Sequence, residues 1–110
     1  MDFDELKSFQ KRIEVLNASE NLRELKEELS QNPRKGNVIP GMDGLRKVRM
    51  GLPNRGKSDG ARVLYLFFPI VEKILFLLVY SKGDTEDLSP DERKIILRLV
   101  KQLKQEYEST

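Results

Sequence analysis

Two apolar runs, Ala61–Phe68 and Ile74–Ser81, stand only five residues apart in this 110-residue chain, and together they leave few architectures open. Both are crowded with Val, Ile, Leu, Tyr and Phe and are too short for most helices. They read as strands joined through Pro69-Ile-Val-Glu-Lys73 into a hairpin. Apolar side chains fall at odd and even positions alike, so neither face suits water. One or both strands must sit centrally in a sheet covered on at least one side. Glu72 and Lys73, beside Pro69, interrupt the segment. A membrane span needs about 20 uninterrupted apolar residues, so no membrane partner is expected.

The flanking segments supply the cover. Phe3, Leu6, Phe9, Ile13 and Leu16 recur at spacings of three and four, which predicts a helix from Phe3 to Leu16. Asn17 with Glu20 reads as a capping box opening a second helix. That helix carries Leu22, Leu25 and Leu29 and ends near Asn32-Pro33, because proline disfavours helix in the residue before it. Asn37–Gly44, with two glycines and Pro40, reads as loop. Leu45–Leu52 reads as a strand with charges on both faces, near an edge, and Pro53–Gly60 as a flexible turn projecting Arg55 and Lys57. Ser89-Pro90-Asp91-Glu92 sets a cap, a proline at the first helical position and a Glu at the third. Ile95, Ile96, Leu99, Val100 and Leu103 then form one core-facing stripe. The expectation is one α+β domain over 1–110: a small, mainly antiparallel sheet with two N-terminal helices and one C-terminal helix. Met1–Leu6 carries three acids and no apolar run, unlike a signal peptide, so the chain is expected in the cytoplasm.

Composition removes whole classes of chemistry. The chain has no histidine and no cysteine. Serine–histidine triads, thiolate metal sites and disulfides are therefore closed to it, and no metal or cofactor is expected. Catalysis must use Lys, Arg, Tyr, Asp or Glu. The net charge of +2 hides a strong asymmetry. Residues 1–33 hold five Lys/Arg against eight Asp/Glu, residues 34–62 hold eight against two, and residues 63–110 hold seven against eight. Such a run is often only a solvated face. This one includes five arginines, whose planar fork bonds two phosphate oxygens at once.

If the hairpin turns about Val71, facing residues sum to about 142 and Arg62 lies opposite Tyr80. Lys82 follows two positions on from Tyr80, on the same face, and the Arg55/Lys57 loop enters at that end. Cations and a phenol gathered there match the needs of RNA cleavage. The dianionic phosphorane requires preorganised positive charge. A lysine can act as base if neighbouring cations push its pKa well below about 10.4. Tyr80 or Tyr65 can stack on a base, although a core role is the plainer reading of Tyr65.

Several segments, in this order, resemble the RelE/HigB toxin superfamily, in its HigB-like branch. They are the helix ending Glu28-Leu-Ser-Gln-Asn-Pro33, then GNVIPGMDGLRKVRMGLPNRGKSDGARVLYLFF, then ILFLLVYSKGDTEDLSPDE, within residues 16–104. The resemblance implies a toxin of a type II toxin–antitoxin system, an endoribonuclease that cuts mRNA in the ribosomal A site. It also implies a helix-turn-helix antitoxin as partner. By position, Lys57, Arg62 and Lys82 match the family's basic cluster, with Tyr80 beside them, and Lys47, Arg49 and Arg55 fall where RNA contacts are implied. Two features depart from the pattern. Asp59 places an acid inside the basic loop, and the first strand implied ahead of the helices coincides with the helical pattern at Met1–Leu6. Competing readings are a ParE-like DNA gyrase inhibitor and a non-catalytic nucleic-acid-binding module of phage origin. The basic loop and Lys82 favour RNA over gyrase.

Overall fold

Eight elements follow in order: β1 (Asp2–Glu5), α1 (Lys7–Val15), α2 (Ser19–Gln31), β2 (Asn37–Val38), β3 (Arg46–Met50), β4 (Ala61–Phe68), β5 (Lys73–Ser81) and α3 (Pro90–Glu108). The computed structural model describes residues 1–81 and 88–108. The strands form one sheet in the order β1-β5-β4-β3-β2. β1 runs parallel to β5, and the other neighbours are antiparallel. Both hairpin strands are thus central, as their two-faced apolar character requires.

Each face has its own cover. α1 and α2 lay Phe9, Ile13, Leu22, Leu25 and Leu29 over Val48, Val63, Tyr65 and Phe76. α3 lays Val100 and Leu103 over Leu64, Leu66, Phe68 and Leu75 on the opposite face. The capping box of α3 is formed as the sequence predicts: the Glu92 amide donates to Ser89 Oγ at 3.2 Å, and the Ser89 amide to Glu92 Oε1 at 2.9 Å. Of the expected stripe, Ile95 points away and is 64% exposed, whereas Ile96 and Leu99 are half-buried and Val100 and Leu103 buried.

The N-terminus corrects the helical reading. Residues 2–5 form a strand, and the helix begins only at Lys7. Backbone pairing with β5 accounts for this, continued at its ends by Asp2 N–H to Glu72 O (3.0 Å) and Leu6 N–H to Phe76 O (3.1 Å). Phe3 and Phe9 both stack on Phe76, with ring centroids 5.8 and 5.2 Å away. One is delivered by a strand and the other by a helix, so their spacing imitates a single helical face.

Asn17 is likewise not a cap for α2, which starts from Ala18 without a side-chain cap bond. It takes a left-handed φ of 54° just beyond α1. Ala18 N–H bonds Ile13 O and Asn17 N–H bonds Glu14 O, both at 3.0 Å. This is the Schellman arrangement, which admits Asn as well as Gly at its left-handed position. Glu20, left without the expected partner, pairs with Arg23. Within the expected loop 37–44, Asn37 and Val38 pair with Lys47 and Arg46 as a short edge strand.

The β4–β5 register contains one irregularity. Arg62↔Tyr80, Val63↔Val79 and Leu64↔Leu78 pair as expected, but from Tyr65↔Phe76 to Phe68↔Lys73 the sum falls by one. Leu77 is the extra residue of a bulge.

The far end of α3 is fastened to the sheet by Tyr107. Its ring stacks on Phe68 at 4.9 Å and its hydroxyl donates to Asp4 Oδ2 at 2.9 Å, while Lys73 pairs with the same carboxylate at 3.3 Å. Burial, then the bond to Asp4, pushes the phenol's pKa from 10.0 up to about 12. The fold therefore favours the neutral phenol. This contribution is complete below pH about 10 and is lost as pH rises through about 12. Thermal melts should show wild type more stable than Tyr107→Phe at neutral pH, with the two converging as pH passes that window. Parallel curves throughout would contradict the fastening.

Candidate nucleic-acid interface

Alternation along β4 sorts its residues between the two layers. Ala61, Val63 and Tyr65 face α1 and α2, whereas Leu64, Leu66 and Phe68 face α3. Arg62 falls in the second set by the period of two. On β3, Val48 and Met50 belong to the α1/α2 core, which puts Lys47 and Arg49 on the α3 face. Register then aligns Arg49↔Arg62↔Tyr80 as one rung across β3, β4 and β5, with Lys47 next on the same face opposite Leu64. Directly opposed side chains on adjacent strands have Cβ atoms about 5 Å apart. Arg49 is exposed, and Lys47 and Arg62 are half-buried. The sequence placed Arg62 and Tyr80 together; the structure adds Arg49 to them as a direct neighbour.

The 53–60 loop borders this rung and is closed at both ends. Arg55 N–H bonds Leu52 O at 2.9 Å, making a turn around Asn54, whose φ is 63°. At the other end Gly60 lies so close to Met50 that a Cβ would come within 2.3 Å of the Met50 carbonyl oxygen, so only glycine fits. The Arg62 guanidinium turns back onto the loop, donating to the Lys57, Ser58 and Ala61 carbonyls at 3.3–3.4 Å. These are long contacts to neutral acceptors, which leave its charge uncompensated by them.

Lys57 does not join the other cations. Its ammonium donates to Glu28 Oε1 on α2 at 2.6 Å, and Lys35 holds Glu28 Oε2. Hydrogen bonds from Lys35 and then Lys57 hold the Glu28 carboxyl below the usual carboxylate range. The crowding of cations expected around Lys57 is replaced by an ion pair. Glu28 was not legible as its partner, because 29 residues separate them and no local pattern links a helix to a distant loop. Arg55 stands exposed on the loop, and Lys82 lies outside the described residues.

Tyr65 and Tyr80 are both buried. Tyr65 is 0% exposed, and its hydroxyl donates to Pro33 O at 2.8 Å and accepts from Gly36 N–H at 2.9 Å, locking the α2–β2 connection. Its phenol is raised above the usual range by burial. Tyr80, at 7% exposure, packs in the α3 core and has no open face for a base to stack on. Its contribution to the rung is a phenol beside Arg62. Arg46, part of the same basic segment, faces the other layer and donates to Gly36 O at 2.7 Å. Among the described residues no group of three or more acids is placed to hold a metal ion, and no helix is long and apolar enough to cross a membrane.

Fold and site thus define a small α+β protein with a cationic rung at one end of its central hairpin. The family described as "RelE toxin of RelE / RelB toxin-antitoxin system" matches residues 7–110, and the chain belongs to it. Membership brings an antitoxin partner with it. Two solved E. coli structures share the fold. A double-arginine mutant of toxin RelE in the free state is 21% identical, with a TM-score of 0.56, covering 77% of this chain and 86% of that one. The isolated RelE toxin is 19% identical, with a TM-score of 0.58, covering 89% and 97% respectively.

Like charges directly opposed across a sheet destabilise it, so the Arg49–Arg62 pair opposes folding. Arg49→Thr removes the repulsion and installs a good strand former, and should stabilise the fold by about 0.2–1 kcal/mol. The same substitution should weaken binding to single-stranded RNA. Urea melts and RNA anisotropy check the two opposite signs; loss of stability would show that the arginines are not in repulsive contact.

Proposed function

We propose that this chain, acting as one unit over residues 1–110, is a ribosome-dependent endoribonuclease that cuts mRNA in the A site and so stops translation. Family membership supports the toxin role, and the Arg49–Arg62–Tyr80 rung is the observation that carries the chemistry. In-line attack by the 2′-oxygen on phosphorus forms a cyclic phosphate and breaks the bond to the 5′-oxygen, which takes up a proton. Arg62, with Arg49 behind it, would stabilise the phosphorane, and Lys47 and Arg55 would guide the backbone. The Tyr80 phenol, Lys57 and Lys82 are the groups available for proton transfer. No histidine is present for the task, so the ribosome is given the work of positioning the 2′-hydroxyl. The reaction needs no metal in this reading. The partner that silences it is a helix-turn-helix antitoxin, the place of action is the cytoplasm, and the HigB-like branch is supported by the GLRKVR, NRGK, GARVLY and VYSKG segments.

Induction of the chain alone should halt incorporation of labelled amino acids before that of labelled thymidine; the reverse order supports the ParE-like gyrase reading instead. Purified protein should cut mRNA in programmed ribosomes and leave naked RNA nearly intact. Arg62→Ala and Lys82→Ala should each lower cleavage about 10²–10³-fold, as expected when a charge meeting the transition state is lost. A folded Arg62→Ala protein that still arrests growth would remove the rung from the mechanism.

A further inference from the structure

Lys57 and Arg62 belong to one basic segment, yet the fold sends their charged groups to different places. Arg62 stays on the α3 face of the sheet, while the Lys57 ammonium reaches Glu28 on α2, in the layer covering the other face. Glu28 is half-buried, with 30% of its side chain exposed, and its second oxygen is occupied by Lys35. Its Lys35 partner means that departure of Lys57 does not leave the carboxylate unpaired. The Lys57 side chain is 53% exposed, and ion pairs this open contribute at most about a fivefold preference for the closed form. Such a pair is firm enough to place a loop and weak enough to be exchanged.

We propose that Glu28 is a built-in competitor for RNA phosphate: in the free chain it holds Lys57, and with it the 53–60 loop, and bound RNA takes Lys57 from it. The proposal rests on the nucleic-acid reading of the rung. A phosphate on Arg49 and Arg62 lies beside the loop that carries Lys57, and Arg62 already touches that loop through the Lys57 and Ser58 carbonyls. RNA on the rung therefore recruits the lysine with a charge that a single carboxylate, already shared with Lys35, has to match. Glu28 acts through Lys57 and is a positioning residue, set to disfavour engagement until an anion of sufficient charge arrives.

The test uses the full chain and a fluorescent single-stranded RNA blocked by 2′-O-methyl groups, so that binding is read without cleavage. Glu28→Gln should tighten Kd about two- to fivefold and speed tryptic cutting after Arg55 and Lys57 in the absence of RNA. In a Lys57→Ala background Glu28→Gln should change nothing, and Glu27→Gln, which removes an equal charge one residue away, should leave Kd within about 1.5-fold. Wild-type binding that is unchanged or weakened by Glu28→Gln, at an unaltered melting temperature, overturns the competition and makes the pair a simple tether. Equal tightening with Lys57 absent overturns it too, in favour of a general charge effect. No RNA binding by any of the proteins overturns the nucleic-acid reading itself and the competition with it.

Discussion

Burial of both faces of the β4–β5 hairpin is the constraint on which the rest of the structure depends. A strand pair apolar on two sides cannot rest against water on either, so the chain must supply a layer for each. α1 and α2 form one and α3 the other, and their apolar stripes meet different alternate residues of the same strands. β1 and β3 then shield the hairpin's two long edges. The alternation that fills the α3 core with Leu64 and Leu66 continues one step further to Arg62, so the same pleat that builds the interior also delivers the rung.

Charge is partitioned by the same layering. The acidic N-terminal third forms β1, α1 and most of the layer on one face, while the rung occupies the other. Opposed arginines at adjacent positions violate local stability rules, as residues kept for a ligand commonly do. The loop beside them shows the complementary arrangement. Its lysine is neutralised by an acid from the opposite layer, so the free chain presents less concentrated charge than its sequence suggests.

The hairpin, the short third strand, the C-terminal capping box and the Arg62–Tyr80 pairing were legible because each rests on local pattern or on a register that a short turn dictates. Failures came where two local patterns coincided. Phe3 and Phe9 share Phe76 as a target, which made a strand and a helix look like one helix. Asn17 suits both a helix start and a left-handed helix end, and backbone bonding to α1 selected the second. The site was partly legible for the same reason. Arg62 and Tyr80 are linked by one turn, whereas placing Arg49 beside them required the β3–β4 register across a ten-residue connection. Glu28 and Lys57 meet only through tertiary packing.

The bulge at Leu77 has a consequence for how the protein tolerates change in length. Had the register near the turn continued unbroken, Arg62 would face Val79, and the Tyr80 phenol would lie on the α1/α2 side of the sheet. One surplus residue therefore acts as a phase shift between the half of the hairpin that packs and the half that bears the rung. Deleting the surplus residue, Leu77, would remove the need for that shift: Phe76 would be followed directly by the Leu78, Val79 and Tyr80 pairings, and the phenol would still meet Arg62. In this fold the leucine-rich strand can shorten by one residue at its bulge without moving the phenol, whereas the full-length strand depends on the bulge to keep Tyr80 on the rung.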